Sequence, residues 1–191
     1  SALAWERAAY IRARSAAGDV EAGEQFLAAI RPFVWRRSID FMALEEIRRL
    51  TSRIRRHYSG PPEPGPGFDL KRGRGGIREV EFFAQTHQLI YGGRLPSLRL
   101  RGTRAALDAL AAEGVISADD AELLGRSYDR VRVIEHRLQM VDDRQTHSLP
   151  TERAALDNVA RLDGLPDGTA LMKELRALCG AVGERYDSLL D

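Results

Sequence analysis

Apolar positions recur three or four residues apart over most of this chain, the spacing of one helix face after another. The stretch SALAWERAAYIRARSAAGD reads as a first helix that stops at Gly18, with Asp19 placed to cap the next. A second helical stretch runs from about Val20 to Tyr58, with Pro32 inside it as a break or kink. Beyond that proline, Ile47, Leu50, Ile54 and Tyr58 share one face, and Arg49, Arg53 and Arg56 lie on the opposite one. SGPPEPGPG, from Ser59 to Gly67, cannot be helical and reads as a surface loop within one domain. FDLK after it reads as a short extended piece. The next helix, from about Gly76 to Tyr91, is apolar on several sides through Ile77, Val80, Phe82, Phe83, Leu89 and Ile90, which places it in the core.

Past the loop GGRLPSLRLRG, TRAALDALAAEG predicts a helix with Thr103 as its cap and Gly114 as its stop. The following helix opens on Ser117 with Asp120 three residues on, close to a capping box, and carries the stripe Leu124, Tyr128, Val131, Leu138 and Val141. A further helix follows Pro150 with Thr151 as cap, and DGTALMKELRALCGAVGERYDSLLD is the last. The pattern predicts an all-α bundle of about seven helices, with residues 1–191 as a single helical domain. It contains a Pro/Gly loop at 59–67, one short extended segment and no convincing sheet.

Composition narrows the function. With 191 residues, 43% hydrophobic and 30% charged, the chain can bury a core and is not generally disordered. Basic and acidic residues balance at 29 to 28, so the chain as a whole does not attract nucleic acid, and anion binding has to come from a local cluster. A single cysteine, Cys179, excludes a disulfide scaffold and suits a reducing cytoplasm. No apolar run reaches the roughly 20 residues that cross a bilayer. The opening SALAWERAAY has no signal-peptide layout and does not begin with Met, which reads as the cut edge of a longer chain.

GxSxG, the Walker A lysine loop and CxxC are all missing. His57, His87, His136 and His147 lack metal-ligand spacing and read as surface or satisfied core residues. Cys179 reads as a structural thiol. Asp142 and Asp143 are adjacent and point apart, which suits a helix end better than a metal pair. What remains is FDLKRGRGGIREVEF, from Phe68 to Phe82. Gly73, Gly75 and Gly76 precede a helix whose first N–H groups and dipole attract anions, and Lys71, Arg72, Arg74 and Arg78 surround them with positive charge. A tight turn that needs glycine for positive φ, with its charges in water, explains the same residues, and composition weighs the two readings evenly. Glu79 and Glu81 stand about 200° apart around a helix and form no carboxylate pair. Glu79 in an apolar helix needs a partner, and arginine is expected, first as a structural salt bridge and second to position a substrate-binding arginine. The stripe Arg49, Arg53, Arg56 reads first as a solvated face and second as a surface for a phosphate or an acidic partner.

Four separated segments add a resemblance: WERAAYIRAR from Trp5, RPFVWRRSIDF from Arg31, DLKRGRGGIREVEFFAQTHQLIYGG from Asp69 and LPSLRLR from Leu95. Together, and in this order, they resemble the glutamine synthetase adenylyltransferase family, which attaches AMP to glutamine synthetase and removes it. The uridylyltransferases of the PII signal protein share a similar Lys–Gly–Gly element. The resemblance implies a helical domain that follows the N-terminal, adenylyl-removing nucleotidyltransferase half and covers its cleft. It implies Mg²⁺ and ATP, ADP and phosphate for the parent enzyme, and phosphorolysis of the AMP–tyrosine link to give ADP. The metal-holding Asp-x-Asp that this chemistry needs is missing from the sequence, so the chain is expected to bind no cofactor or metal and to be silent alone.

On the same resemblance Lys71 and Arg78 are the first candidates to contact phosphate or the adenylylated substrate. The Gly75 and Gly76 amides add to them, Arg14 is a weaker candidate, and Glu79 orients an arginine. The competing expectation is that these residues only join the helical domain to its catalytic neighbour. The partners implied are glutamine synthetase, the PII protein and the nucleotidyltransferase domain in cis, in a bacterial cytoplasm, without nucleic acid or membrane. The alternative function is a pure interaction module that docks glutamine synthetase or relays PII and glutamine signals between the catalytic halves, with Arg49, Arg53 and Arg56 as its surface. The sequence departs from the family by carrying Arg12 where lysine is usual and Arg74 where a small or neutral residue is usual.

Overall fold

The computed structural model of the chain describes residues 4–37, 45, 49, 52, 53, 55–142 and 145–189. Its helices are α1 (Ala4–Ile11), α2 (Val20–Val34), α3 (Ile77–Tyr91), α4 (Thr103–Ala112), α5 (Ala118–Asp142), α6 (Arg153–Leu162) and α7 (Gly168–Ser188), with a 3₁₀ turn at Pro96–Leu98. The all-α class is as the apolar spacing requires, and among the described residues there is no strand. Residues 52, 53, 55 and 56 are helical as well. Pro32 sits in the last turn of α2, and the helix ends two residues later, where the Trp35 N–H donates to the Arg31 carbonyl at 2.9 Å. Of the face expected beyond it, Ile47, Leu50 and Ile54 lie outside the described residues.

Local chemistry fixes three of the helix starts. Asp19 accepts from the Ala22 N–H at 2.9 Å, the Ser117 hydroxyl from Asp120 at 3.0 Å and Asp167 from Ala170 at 2.8 Å. Two expected caps are corrected. The residue before α4 is Gly102, and Thr103 is already helical and buried. Its hydroxyl accepts from Arg12, so a tertiary donor has claimed the group that was expected to cap. Glu152, not Thr151, precedes α6, and its side chain makes no capping bond.

Helix α3 is the hub, and three buried clusters explain why it is apolar on several sides. Ile77 packs with Phe68, Leu70, Val131, Ile134 and Leu175. Val80 and Phe83 pack with Leu107, Leu124, Val182 and Tyr186. Leu89 packs with Ala8, Ile11 and Val34 of the N-terminal helices. Each aliphatic side chain taken fully out of water contributes about 1.5–3 kcal/mol. The extended piece is real but short. Asp69 and Ser148 form an isolated antiparallel bridge, flanked by Leu70 N–H to His147 O at 2.8 Å and Leu149 N–H to Phe68 O at 2.8 Å. This bridge delivers the chain into the turn that starts α3.

Candidate functional site

The turn from Asp69 to Gly76 is built from the inside. Asp69 is buried, and its Oδ1 accepts from the amides of Lys71 at 2.9 Å and Arg72 at 2.8 Å, while Oδ2 accepts from Arg72 Nε at 2.8 Å. Burial alone pushes this carboxyl up, but the Arg72 bonds, the Lys71 amide and the Arg72 charge together hold it below the ordinary carboxylate value. Gly75 has φ +71°, and a Cβ there would lie 1.8 Å from the Cys179 carbonyl oxygen, so only glycine lets the turn lie against α7.

The amide half of the expected anion cradle is already filled. Gly75 N–H donates to Glu79 Oε2 at 2.8 Å and Gly76 N–H to Gly73 O at 2.9 Å. Ile77 and Arg78 donate to the carbonyls of Leu70 and Lys71 at 2.9 and 3.0 Å. The helix start does hold an anion, and that anion is the carboxylate of Glu79, the third residue of α3. The positive-φ turn and the attraction of a helix start for negative charge, weighed as alternatives, therefore act together.

Glu79 is 2% exposed, and its arginine partner is Arg55, which sequence reasoning did not single out. Arg55 Nε donates to Oε1 at 2.5 Å and Nη2 to Oε2 at 3.0 Å, a two-handed pair. The Arg55 guanidinium also pairs with Asp187 at the end of α7 and lies over the Tyr186 ring at 4.9 Å. Burial disfavours the Arg55 charge, but the Glu79 and Asp187 carboxylates overcome that and raise its pKa. Arg74 joins the network at Asp187 Oδ2, 2.7 Å away, so this departure from the family pattern serves an ion pair with α7. Arg12, the other departure, divides its guanidinium between Glu81 at 3.0 Å and the Thr103 hydroxyl, a fork that a lysine does not reproduce.

Beside this network lies a pocket of about 280 Å³ lined by Arg53, His57, Tyr58, Arg72 and Arg78. Arg72 is paired with Asp69, whereas Arg53 and Arg78 make no ion pair or side-chain hydrogen bond among the described residues. Tyr58 accepts the Asp69 N–H at 3.2 Å, and His57 Nδ1 is 2.8 Å from the Arg53 carbonyl, so the pocket wall is tied to both the turn and the helical segment. The structure thus places Arg72 and Arg78 of the turn in one lining with Arg53 of the stripe. It does not bring Lys71 into the lining, where its side chain is half-buried, nor Arg14 or Arg56, which are exposed. Arg49 pairs with Glu45 at 3.3 Å.

The other candidate chemistry is internal. His147 Nδ1 is 2.6 Å from Oε1 of buried Glu135, which Arg132 also engages at 2.6 Å. Burial lowers the His87 pKa against a hydrogen bond to the Phe83 carbonyl. The Cys179 thiol is pushed up to about 12 by burial and then by the Glu79 charge. Among the described residues no three His, Cys, Asp or Glu side chains converge as a metal site. No helix among them is long and apolar enough to cross a membrane.

Comparison with known proteins gives this helical, arginine-lined architecture its class. A family model described as GlnD PII-uridylyltransferase matches residues 45–190, and the chain belongs to that family. Its curated relatives carry a more particular name, bifunctional glutamine synthetase adenylyltransferase/adenylyl-removing enzyme, in accord with the resemblance read from the sequence. The chain is 47% identical over 187 residues to that enzyme of Bradyrhizobium diazoefficiens and 44% identical over 187 residues to that of Agrobacterium fabrum. Each match takes in 98% of this chain and 19% of the relative. With the enzyme of Caulobacter vibrioides the identity is 49% over 160 residues, 84% of this chain and 16% of the relative. The chain therefore spans about a fifth of the length of these relatives.

Proposed function

We propose that the chain is the helical domain that accompanies the adenylyl-removing nucleotidyltransferase half of a bacterial glutamine synthetase adenylyltransferase. In this reading the Arg53–Arg72–Arg78 pocket receives a phosphate group of the reaction, either inorganic phosphate or the AMP carried on a glutamine synthetase tyrosine. The observation that supports it is the pocket itself: three arginines line it, and two of them have no carboxylate among the described residues. Guanidinium forks match phosphate oxygens with paired, charge-assisted hydrogen bonds. In phosphorolysis a phosphate oxygen attacks the phosphorus of the AMP group, the tyrosine oxygen leaves and ADP forms. Arg53 and Arg78 would hold the incoming or bound phosphate and share its negative charge. Glu79 and Asp187 act through Arg55, which fixes the segment carrying Arg53 against α3 and α7. These two are positioning residues. Glutamine synthetase is the macromolecular substrate of this reading, and PII is the regulator expected to act on the whole enzyme.

The test is made in the full-length enzyme with its nucleotidyltransferase domain present. Arg53→Ala and Arg78→Ala are expected to raise the KM for phosphate or for adenylylated glutamine synthetase about tenfold each, the scale of one charge-assisted contact. Helical content and urea midpoint should not change. Unaltered removal of AMP by the double variant sinks the phosphate reading. If the double variant instead loses capture of glutamine synthetase while its phosphate KM is unaltered, the pocket is a docking surface.

A further inference from the structure

We infer that a second small-molecule site lies between α6 and α7, and that it takes an amphipathic anion: a flat apolar body bearing one or two carboxylate, sulfonate or phosphate charges. The cleft has a volume of about 510 Å³, nearly twice that of the arginine pocket, and lies within the range of pockets that hold drug-sized ligands, roughly 300–1,000 Å³. Its floor is apolar. Leu156 and Met172, exposed by 7% and 8%, show only their edges, and Pro66 from the Pro/Gly loop forms one side. Methionine adapts its shape to an apolar ring better than a branched side chain does.

The rim is cationic. Arg153, Lys173 and Arg176 line the cleft, and Arg153 and Lys173 make no ion pair among the described residues. Arg176 gives its Nε to the Pro64 carbonyl at 3.0 Å, a neutral acceptor that leaves its charge uncompensated. The one carboxylate in the lining, Asp157, accepts the Gly168 N–H at 2.8 Å and keeps its own charge, so the rim carries three positive charges against one negative. Lys173, one of two lysines in the chain, thus lines the same cleft as Leu156, Met172 and two arginines.

These features select the ligand class by exclusion. A bare phosphate would leave the Leu156–Met172 floor in contact with water. A neutral hydrocarbon would bury the floor but leave the exposed cations of the rim without a partner in the ligand. A ring with an acidic group satisfies both. The amides at the start of α7 play no part, because Gly168 and Ala170 already donate to Asp157 and Asp167. Arg53 and Arg78 do not line this cleft, so its failure would leave the phosphate reading of the other pocket standing.

Two probes share one ring system: anilinonaphthalene sulfonate, which is anionic, and N-phenylnaphthylamine, which is neutral. In fluorescence titrations of the chain the sulfonate should bind saturably and about tenfold more tightly than the neutral probe, the equivalent of one charge-assisted contact. The double substitution Arg153→Glu with Lys173→Glu should remove that advantage and leave the neutral probe unchanged, with the circular dichroism of the folded chain as control. Backbone amide shifts on binding should centre on Thr169 and Lys173. The inference is overturned by equal affinity for the two probes, by displacement of the sulfonate with inorganic phosphate alone, or by undiminished binding to the double variant. Amide shifts centred on the exposed Phe26 of α2 would overturn it as well.

Discussion

Replacing Glu79 tests the interior of the candidate site most directly. Its carboxylate is 2% exposed and accepts three hydrogen bonds, two from Arg55 and one from the Gly75 amide. Removing one partner of a buried pair typically destabilises by about 3–5 kcal/mol, because the other charge is left behind. Arg55 keeps Asp187 and its side chain is 26% exposed, which places Glu79→Ala near the lower end, about 3 kcal/mol. For a chain of this length each kcal/mol shifts Tm by about 2–4 °C, so a fall of roughly 6–12 °C is expected. Glu79→Gln keeps one oxygen to accept from Gly75 and Arg55 Nη2 but loses the charge and turns an amide NH2 towards Arg55 Nε, and should cost about 2 kcal/mol. Urea unfolding followed by helical circular dichroism gives these values. A double-mutant cycle with Arg55→Met isolates the pair, and a coupling of about 2 kcal/mol is expected, within the range seen for contacting residues. A coupling below about 0.5 kcal/mol, the scatter of independent sites, would refute the claim that this pair holds the helical segment to α3.

Gly75→Ala combines a positive φ with a Cβ 1.8 Å from a carbonyl oxygen, whereas Gly18→Ala has φ +76° and open space around it. Gly18→Ala should therefore cost about 1 kcal/mol, the penalty of the left-handed backbone alone, and Gly75→Ala at least twice that in the same urea assay. Asp69 has its pKa lowered on folding, so it stabilises the chain above the ordinary value of 3.8, and that contribution fades as pH falls through the lower folded value. The stability gap between wild type and Asp69→Asn, measured by thermal melts from pH 7 downward, should be constant to about pH 5 and shrink below 3.8. A thiol pushed up to about 12 and 1% exposed should react with a disulfide reagent at pH 8 only through opening of the fold. Labelling of Cys179 that is as fast in the native state as in urea would contradict this.

Residues whose role is local are legible in the sequence. Asp19, Ser117 and Gly114 mark helix ends because capping and positive φ involve only a few neighbouring residues, whereas Gly18, expected to stop the first helix, lies seven residues beyond the end of α1 at Ile11 and turns the connection into Asp19. Thr103 and Thr151 carry the same local signal without the expected role, and for Thr103 the reason is tertiary: Arg12, 91 residues away, takes its hydroxyl. The apolar excess of α3 predicts a buried helix, but not that three separate clusters divide its faces. Glu79 announces that it needs an arginine, while nothing in the spacing of Arg49, Arg53, Arg55 and Arg56 says which one turns inward. Arg55 is chosen by Asp187 and Tyr186, which approach from the far end of the chain. The pairing of Arg53 with Arg78 is invisible for the same reason, since it depends on how the loop folds the helical segment back onto the turn. Glycine enrichment at 73–76 suggested free amides, and only the position of the Glu79 carboxylate shows them occupied.

The small bridge between Asp69 and Ser148 has a topological consequence. It fastens together two points about 80 residues apart, so α3, α4 and α5 form a closed loop with its neck at the bridge. Closing a flexible loop of that size costs on the order of 4 kcal/mol of chain entropy, more than the three backbone hydrogen bonds across the neck return at about 1 kcal/mol each. The neck is therefore stable only once the helices inside the loop have packed and brought its ends near each other. The same closure ties the register of the turn at Lys71–Gly76 to the completed packing of α5.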